Sequence, residues 1–296
     1  MSRLALYAMI VVTGLLSTPR PASAQGATAP PPPPTTQELD LDLRPVPAEP
    51  DFTLGALPTT LRMPAGKGVF RMTHRFTRPI ADGSAGDFFS DFFGFDSASR
   101  VGMEVRYGFR PGTQGAIHRT NDRTIQLSAQ HEFIAQSDTQ WFALHGVAAL
   151  EGRNNFGLSD EIALADADVF TLTLGSVLSR RVGTQGAIYL EPLLVLNSNI
   201  DPVRIDADNH SLLIGVGGRW RLGQSQVYLF GEVAPRAVGY SPGSEHVSLG
   251  IEKRLGGHIF QFNISNSLGT TMGQLARGGP DGDDWFIGFN LSRKFY

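Results

Sequence analysis

The sequence predicts an all-β chain, an antiparallel transmembrane β-barrel of about twelve strands behind an export signal and a proline-rich linker. Three observations carry that expectation. Twelve stretches between Gly68 and Tyr296 alternate apolar and polar residues, the period-two pattern of a sheet with two unlike faces. Their connections alternate between tight turns and long loops. Aromatic residues gather near both predicted strand ends, as the girdles of a lipid-spanning barrel do.

The first 24 residues read as a signal. Arg3 supplies the basic start, Leu4 to Leu16 the apolar run, and Ala22-Ser23-Ala24 the small-residue cleavage site. A run of thirteen residues falls short of the ~20 that a spanning helix needs. Removing Arg3 and Arg20 leaves 23 basic against 28 acidic residues, a balance of −5. That argues against a nucleic-acid partner, which favours a basic stripe. With no cysteine there is no disulfide and no thiolate-held metal or haem, and no cofactor is expected.

Residues 25–60 differ in composition. Five prolines run from Pro30 to Pro34, and Glu38, Asp40, Asp42, Glu49 and Asp51 face the single Arg44. Proline fixes φ and lacks an N–H donor, so the segment reads as an extended, disordered periplasmic tether. It could also dock a periplasmic partner. The barrel is expected over residues 61–296.

Strands are expected near 67–77, 99–108, 113–119, 122–133, 139–150, 168–181, 185–197, 209–221, 225–238, 244–255, 258–269 and 284–296. Val101, Met103, Val105 and Tyr107 share one face, and Arg100, Glu104 and Arg106 the other. Leu212, Ile214, Val216 and Trp220 oppose Gly215, Gly217, Arg219 and Arg221. The stretch Phe142 to Leu150 alternates poorly, and its faces stay unassigned. Turns are short after even strands, as at Gly256-Gly257, and most loops after odd strands are long, as at 78–98, 151–167 and 270–283. Outer-membrane barrels keep short turns in the periplasm and long loops outside, which places both termini in the periplasm. The hexapeptide GTQGAI opens two outward strands, at Gly112 and again at Gly183. Tyr107, Phe133, Trp141, Trp220, Phe295 and Tyr296 fall at one predicted rim, and Phe76, Tyr240 and Trp285 near the other. A soluble β-sandwich would explain neither the loop asymmetry nor the patterned C-terminus.

The block His74-Arg75-Phe76, then Asp91 to Ala98 (DFFGFDSA), then Arg100 to Phe109 resembles a family of bacterial membrane-bound β-barrel domains of unknown function. The closing Phe289 to Phe295 is similar to that family's C-terminus. The resemblance spans about residues 60–296. It implies a barrel and an outer-membrane address, and it brings no catalytic residues. The last strand also resembles the signal read by the barrel-assembly machinery, although Arg293 interrupts its apolar face.

Candidate functional residues follow from the faces. Arg71, Arg75, Arg100, Glu104, Arg106, Glu191, Arg219, Arg221, Glu232 and Glu252 would line or fill the lumen. Such a mixed-charge interior would either select small polar or anionic solutes or plug the barrel with ion pairs. Phe88, Phe89, Phe92, Phe93 and Phe95 crowd one loop and would pack on the rim or form a constriction. Asp206, Asp208 and His210, and Asp281, Asp283 and Asp284, are acidic loop tips without EF-hand spacing, so no metal site is expected. Ser244 and His246 are the closest Ser/His pair, but two residues along a strand lie ~6–7 Å apart. No GxSxG occurs, and an enzyme is not expected. The readings that remain are a passive channel in outer-membrane lipid, a closed barrel that binds a partner through loops or linker, and, behind both, a barrel hydrolase.

Overall fold

The computed structural model describes residues 43–83, 85–90, 96–153, 170–199, 208–280 and 284–296. The strands are β1 Gly68–Pro79, β2 Ser99–Arg110, β3 Thr113–Thr120, β4 Ile125–Ile134, β5 Ala143–Gly152, β6 Phe170–Val182, β7 Gly186–Leu196 and β8 His210–Arg221. There follow β9, in two pieces Val227–Ala234 and Arg236–Gly239, then β10 His246–Leu255, β11 His258–Ser265 and β12 Phe286–Lys294. Among the described residues two short helices, α1 Ala85–Ser90 and α2 Met272–Arg277, lie in long connections. Pro235 divides β9 because it has no N–H for the ladder.

Every strand pairs antiparallel with its sequence neighbour, and β12 closes the cylinder on β1 in a register that sets Arg71 opposite Ser292 and His74 opposite Phe289. Closure removes both sheet edges. β5, whose faces the sequence left unassigned, turns Ala143, His145, Val147, Ala149 and Glu151 inward.

Polarity is inverted relative to a soluble barrel. Met103, Val105, Ile117, Leu190, Val216, Leu229, Ile251 and Phe260 are exposed on the outside, while Thr73, Gln130, Thr171, Asn263 and Ser292 are buried within. Such an exterior suits hydrocarbon, and the strand ladder satisfies the backbone that hydrocarbon cannot. Tyr107, Phe109, Phe133, Trp141, Trp220 and Phe295 ring the short-turn end. At the long-loop end the expected girdle is corrected. Phe76 and Tyr240 are buried, and Phe76 packs with His74 and Phe289 at ring distances of 4.4 and 6.2 Å.

The largest departure from expectation is the N-terminal boundary. Residues 46–63 are no tether. They form a plug inside the barrel, with Ala48, Glu49, Asp51, Phe52, Leu54, Leu57, Thr59 and Met63 all buried. Residues 25–42 lie outside the described residues. The plug enters and leaves at the same rim. Pro45 to Ala48 stand with Gln136, Asp138 and Gly183 around one cavity there, and Gly66 donates to Gly108 O at 2.8 Å. Between these points the chain doubles back. Thr53 bridges Pro58, Thr59 N donates to Phe52 O, and Leu54 N donates to Leu57 O, so Leu54–Leu57 is the tip of a small hairpin. Three buried apolar clusters each contain plug residues: Leu54 in one, Ala56 and Leu57 in the second, Phe52, Leu61 and Met63 in the third.

Candidate functional site: the plugged lumen

Many of the polar side chains that project inward satisfy the backbone of the plug. Arg219 donates to Asp51 O at 3.1 Å and Thr53 O at 2.6 Å. Gln261 donates to Leu54 O at 2.8 Å, and Asn290 and Arg71 both donate to Gly55 O. Gln130 donates to Thr59 O at 2.7 Å, and Gln114 Oε1 accepts from Met63 N at 2.9 Å. The acidic residues of the plug are answered as well. Asp51 accepts from Ser292 at 2.8 Å, while Glu49 accepts from Tyr189 at 3.0 Å and Thr60 at 2.8 Å. An extended peptide buried without such partners would leave its carbonyls unsatisfied at ~1–3 kcal/mol each. Phe52 lies between two cations, with Arg106 at 5.6 Å and Lys294 at 5.2 Å from its ring.

The hairpin tip has the densest support. Glu232 Oε2 accepts from Gly55 N at 2.9 Å and Leu57 N at 3.1 Å, and Oε1 accepts from Ala56 N at 2.7 Å. Three successive N–H groups around one carboxylate form an anion nest. Behind it His246 Nε2 lies 2.9 Å from Glu232 Oε1, and Nδ1 lies 2.7 Å from Ser267 Oγ. A carboxylate only accepts, so Nε2 carries a proton toward Glu232, while Nδ1 meets the Ser267 hydroxyl. Ser267, His246 and Glu232 are buried together. Sequence reasoning paired His246 with Ser244, whose hydroxyl instead donates to Pro280 O. Glu232 comes from β9 and Ser267 from just beyond the end of β11, so only the register could have revealed them.

Eight of the ten expected lumen residues are buried inside: Arg71, Arg75, Glu104, Arg106, Glu191, Arg219, Glu232 and Glu252. Arg219 pairs with Glu252 at 3.1 Å, and Arg106 with Glu104 at 2.9 Å. Arg100 and Arg221 are corrected. Both have inward parity but sit at the rims, half-exposed, where the wall has ended. Arg100 pairs with Asp122, and Arg221 donates to the carbonyls of Gln224 and Ser225 in the turn. Of the loop phenylalanines, Phe88 and Phe89 fall in α1, and Phe92, Phe93 and Phe95 lie outside the described residues, as do Asp206, Asp281 and Asp283.

A second element seals the long-loop mouth. Thr271 caps α2 in a capping box with Gln274, and Gly278 leaves the helix at φ 71°. The helix folds into the barrel: Met272 N donates to Gln126 Oε1 at 2.8 Å, and Thr271 and Arg277 both bond Glu151. Met272 joins the cluster of Leu54, and Leu275 and Ala276 join that of Leu57. Plug tip and α2 therefore meet in an apolar septum across a polar lumen. Asp122, in the turn outside the wall, accepts from Gln274 at 3.1 Å. Burial works against its ionisation, but the Thr120 hydroxyl, the Arg100 charge and the Thr124 amide outweigh it and hold the carboxyl below the usual aspartate range.

The family described as membrane bound beta barrel domain matches residues 52–295. The chain belongs to that family. Its match begins at Phe52, inside the plug and short of the barrel boundary expected from sequence. No curated protein matches. Among solved structures, outer membrane phospholipase A from Escherichia coli is similar at 10% identity, over 81% of this chain and 98% of that one, with a TM-score of 0.44. An outer membrane channel from Pseudomonas putida F1 is similar at 10% identity, over 79% and 97%, with a TM-score of 0.46. OmpT, an outer membrane protein of Vibrio cholerae, is similar at 11% identity, over 77% and 96%, with a TM-score of 0.36.

Proposed function

We propose that this outer-membrane-type barrel is a conduit for small polar solutes, shut at rest by its own N-terminal hairpin. The observation that carries the reading is the path of the plug. Residues 46–63 enter and leave at one rim, so the hairpin can withdraw without threading the chain through the wall. The contacts it would leave are hydrogen bonds to side chains, which water can replace, as well as apolar packing at the tip. With the short turns in the periplasm, withdrawal is toward the periplasm. The expected passive channel becomes a gated one, and the lumen charges serve as the latch.

In this reading the Ser267–His246–Glu232 line braces the plug. Its carboxylate is occupied by three backbone N–H groups, and its serine has no solvent access. The chain has no native cysteine, so a single Leu57→Cys variant reports plug exit through reaction with a membrane-impermeant maleimide. Labelling that rises together with bilayer conductance, under voltage or mild denaturant, supports the gate. A barrel that never labels and never conducts while folded is a closed structural barrel instead.

A further inference from the structure

One inward group takes no part in holding the plug. Glu191 on β7 is 0% exposed, and neither of its carboxylate oxygens has a hydrogen-bond partner among the described residues. A buried carboxyl without partners is costly, and within a membrane-spanning wall such groups mark sites of function. Its surroundings are specific. Glu191 is the ladder partner of Gly215 on β8, and Glu232 on β9 is the partner of Gly217. Both glycines face inward, and their missing side chains are replaced by the plug tip. A Cβ on Gly215 would stand 3.1 Å from Leu57 Cδ1 and 3.1 Å from Glu191 Cβ, and one on Gly217 would stand 2.5 Å from Leu54 Cδ1. The tip thus rests on a bare glycine floor flanked by two carboxylates, one used and one spare.

The opposite side of this seat is basic. Arg71 on β1, with Asn290 beside it, donates to Gly55 O, while Glu232 receives the N–H groups of the same residue and its successors. The tip therefore presents donors to the acid and an acceptor to the base, the polarity of a peptide. Its three amides answer Glu232 and leave Glu191 unanswered. A ligand with a full ammonium group could answer both.

We infer that the seat vacated by the plug tip binds a small zwitterion, an amino acid or short peptide, with its ammonium between Glu191 and Glu232 and its carboxylate toward Arg71. The inference rests on the gated-conduit reading. The hairpin occupies the seat as a built-in mimic, and an incoming zwitterion competes with it. Selectivity is then for solutes carrying both charges, where the lumen composition alone suggested polar or anionic ones.

The test uses the full chain with Leu54→Asp and Leu57→Asp, which set two new carboxylates against Glu191 and Glu232, and with Ala56→Cys to report exit of the tip. Triglycine, N-acetyltriglycine and triglycinamide are titrated calorimetrically into the folded protein. Triglycine should bind, and each blocked peptide should bind about tenfold more weakly, the scale of one lost charge-assisted bond. Adding Glu191→Gln should reduce the preference for the free amine and keep the preference for the free carboxylate. If Glu191→Gln does not fold, Arg71→Gln reads the same seat from its other side and should erase the carboxylate preference alone. Equal binding of triglycine and its acetylated form, or no binding to a chain whose Cys label shows the tip released, overturns the inference and leaves the gate standing. A tip that stays unlabelled overturns the gate and this inference with it.

Discussion

Gly55→Ala is the sharpest test of the latch. A Cβ on Gly55 would stand 2.6 Å from Glu232 Oε1 and 3.0 Å from Ser248 Oγ. A free glutamate would swing aside at little cost. Glu232 is not free, because three amides and His246 hold it at 2.7 to 3.1 Å. To reach ordinary contact the carboxylate must recede by about 0.8 Å, which stretches the 2.7 Å Ala56 bond to Oε1 to about 3.5 Å and the 2.9 Å Gly55 bond to Oε2 to about 3.7 Å, at and beyond the limit of hydrogen-bond range. Losing two charge-assisted bonds at ~1.5 kcal/mol each costs about 3 kcal/mol, roughly a hundredfold in the equilibrium between seated and withdrawn plug. In a Leu57→Cys background, maleimide labelling of the reconstituted protein should therefore accelerate by about two orders of magnitude. Gly231→Ala is the control, because its Cβ meets nothing closer than Ser248 O at 3.8 Å. Labelling of Gly55→Ala at the rate of that control, with an unchanged melting temperature, would refute the latch.

Three further outcomes follow from the same geometry. Arg219→Gln should destabilise the barrel by about 3–5 kcal/mol, because it leaves Glu252 buried without its guanidinium and frees two plug carbonyls; a denaturant titration reads it, and pairing it with Glu252→Gln should recover a good part. Ile251→Lys, on the lipid face of β10, should cost ~2–4 kcal/mol in unfolding from lipid, against little change in detergent-free solubility, and no measurable cost would deny that lipid covers this face. Asp122 has a folded-state pKa below the unfolded one, so it contributes stability at neutral pH that is lost as the pH falls through the lowered value; the melting temperatures of wild type and Asp122→Asn should differ at pH 7 and converge in acid, and a constant gap would contradict the Arg100–Asp122–Gln274 clamp.

The twelve strands were legible, β5 without its faces, because lipid enforces a clean rule: residues such as Val105 and Ile117 must face out, and residues such as Glu104 and His118 must face in. The same rule hid the plug. In a soluble protein a core segment is apolar, and its pattern announces it. Here the interior is polar, so a segment suited to fill it can carry acids and prolines, and Pro47, Glu49, Pro50, Asp51 and Pro58 resemble the residues of a solvated tether. Asp51 and Glu49 read as linker charges because their partners, Ser292 and Tyr189, lie 241 and 140 residues away. Glycine was the one available signal. Gly215 and Gly217 interrupt the inward face of β8 between Leu213 and Arg219, and a gap of two missing side chains in a packed wall requires something else to fill it. The charges on either side of that gap then acquire a direction: Glu232 takes backbone donors and Arg71 takes a backbone acceptor, a pattern set by a peptide chain lying between them and not by an ion pair across an empty pore.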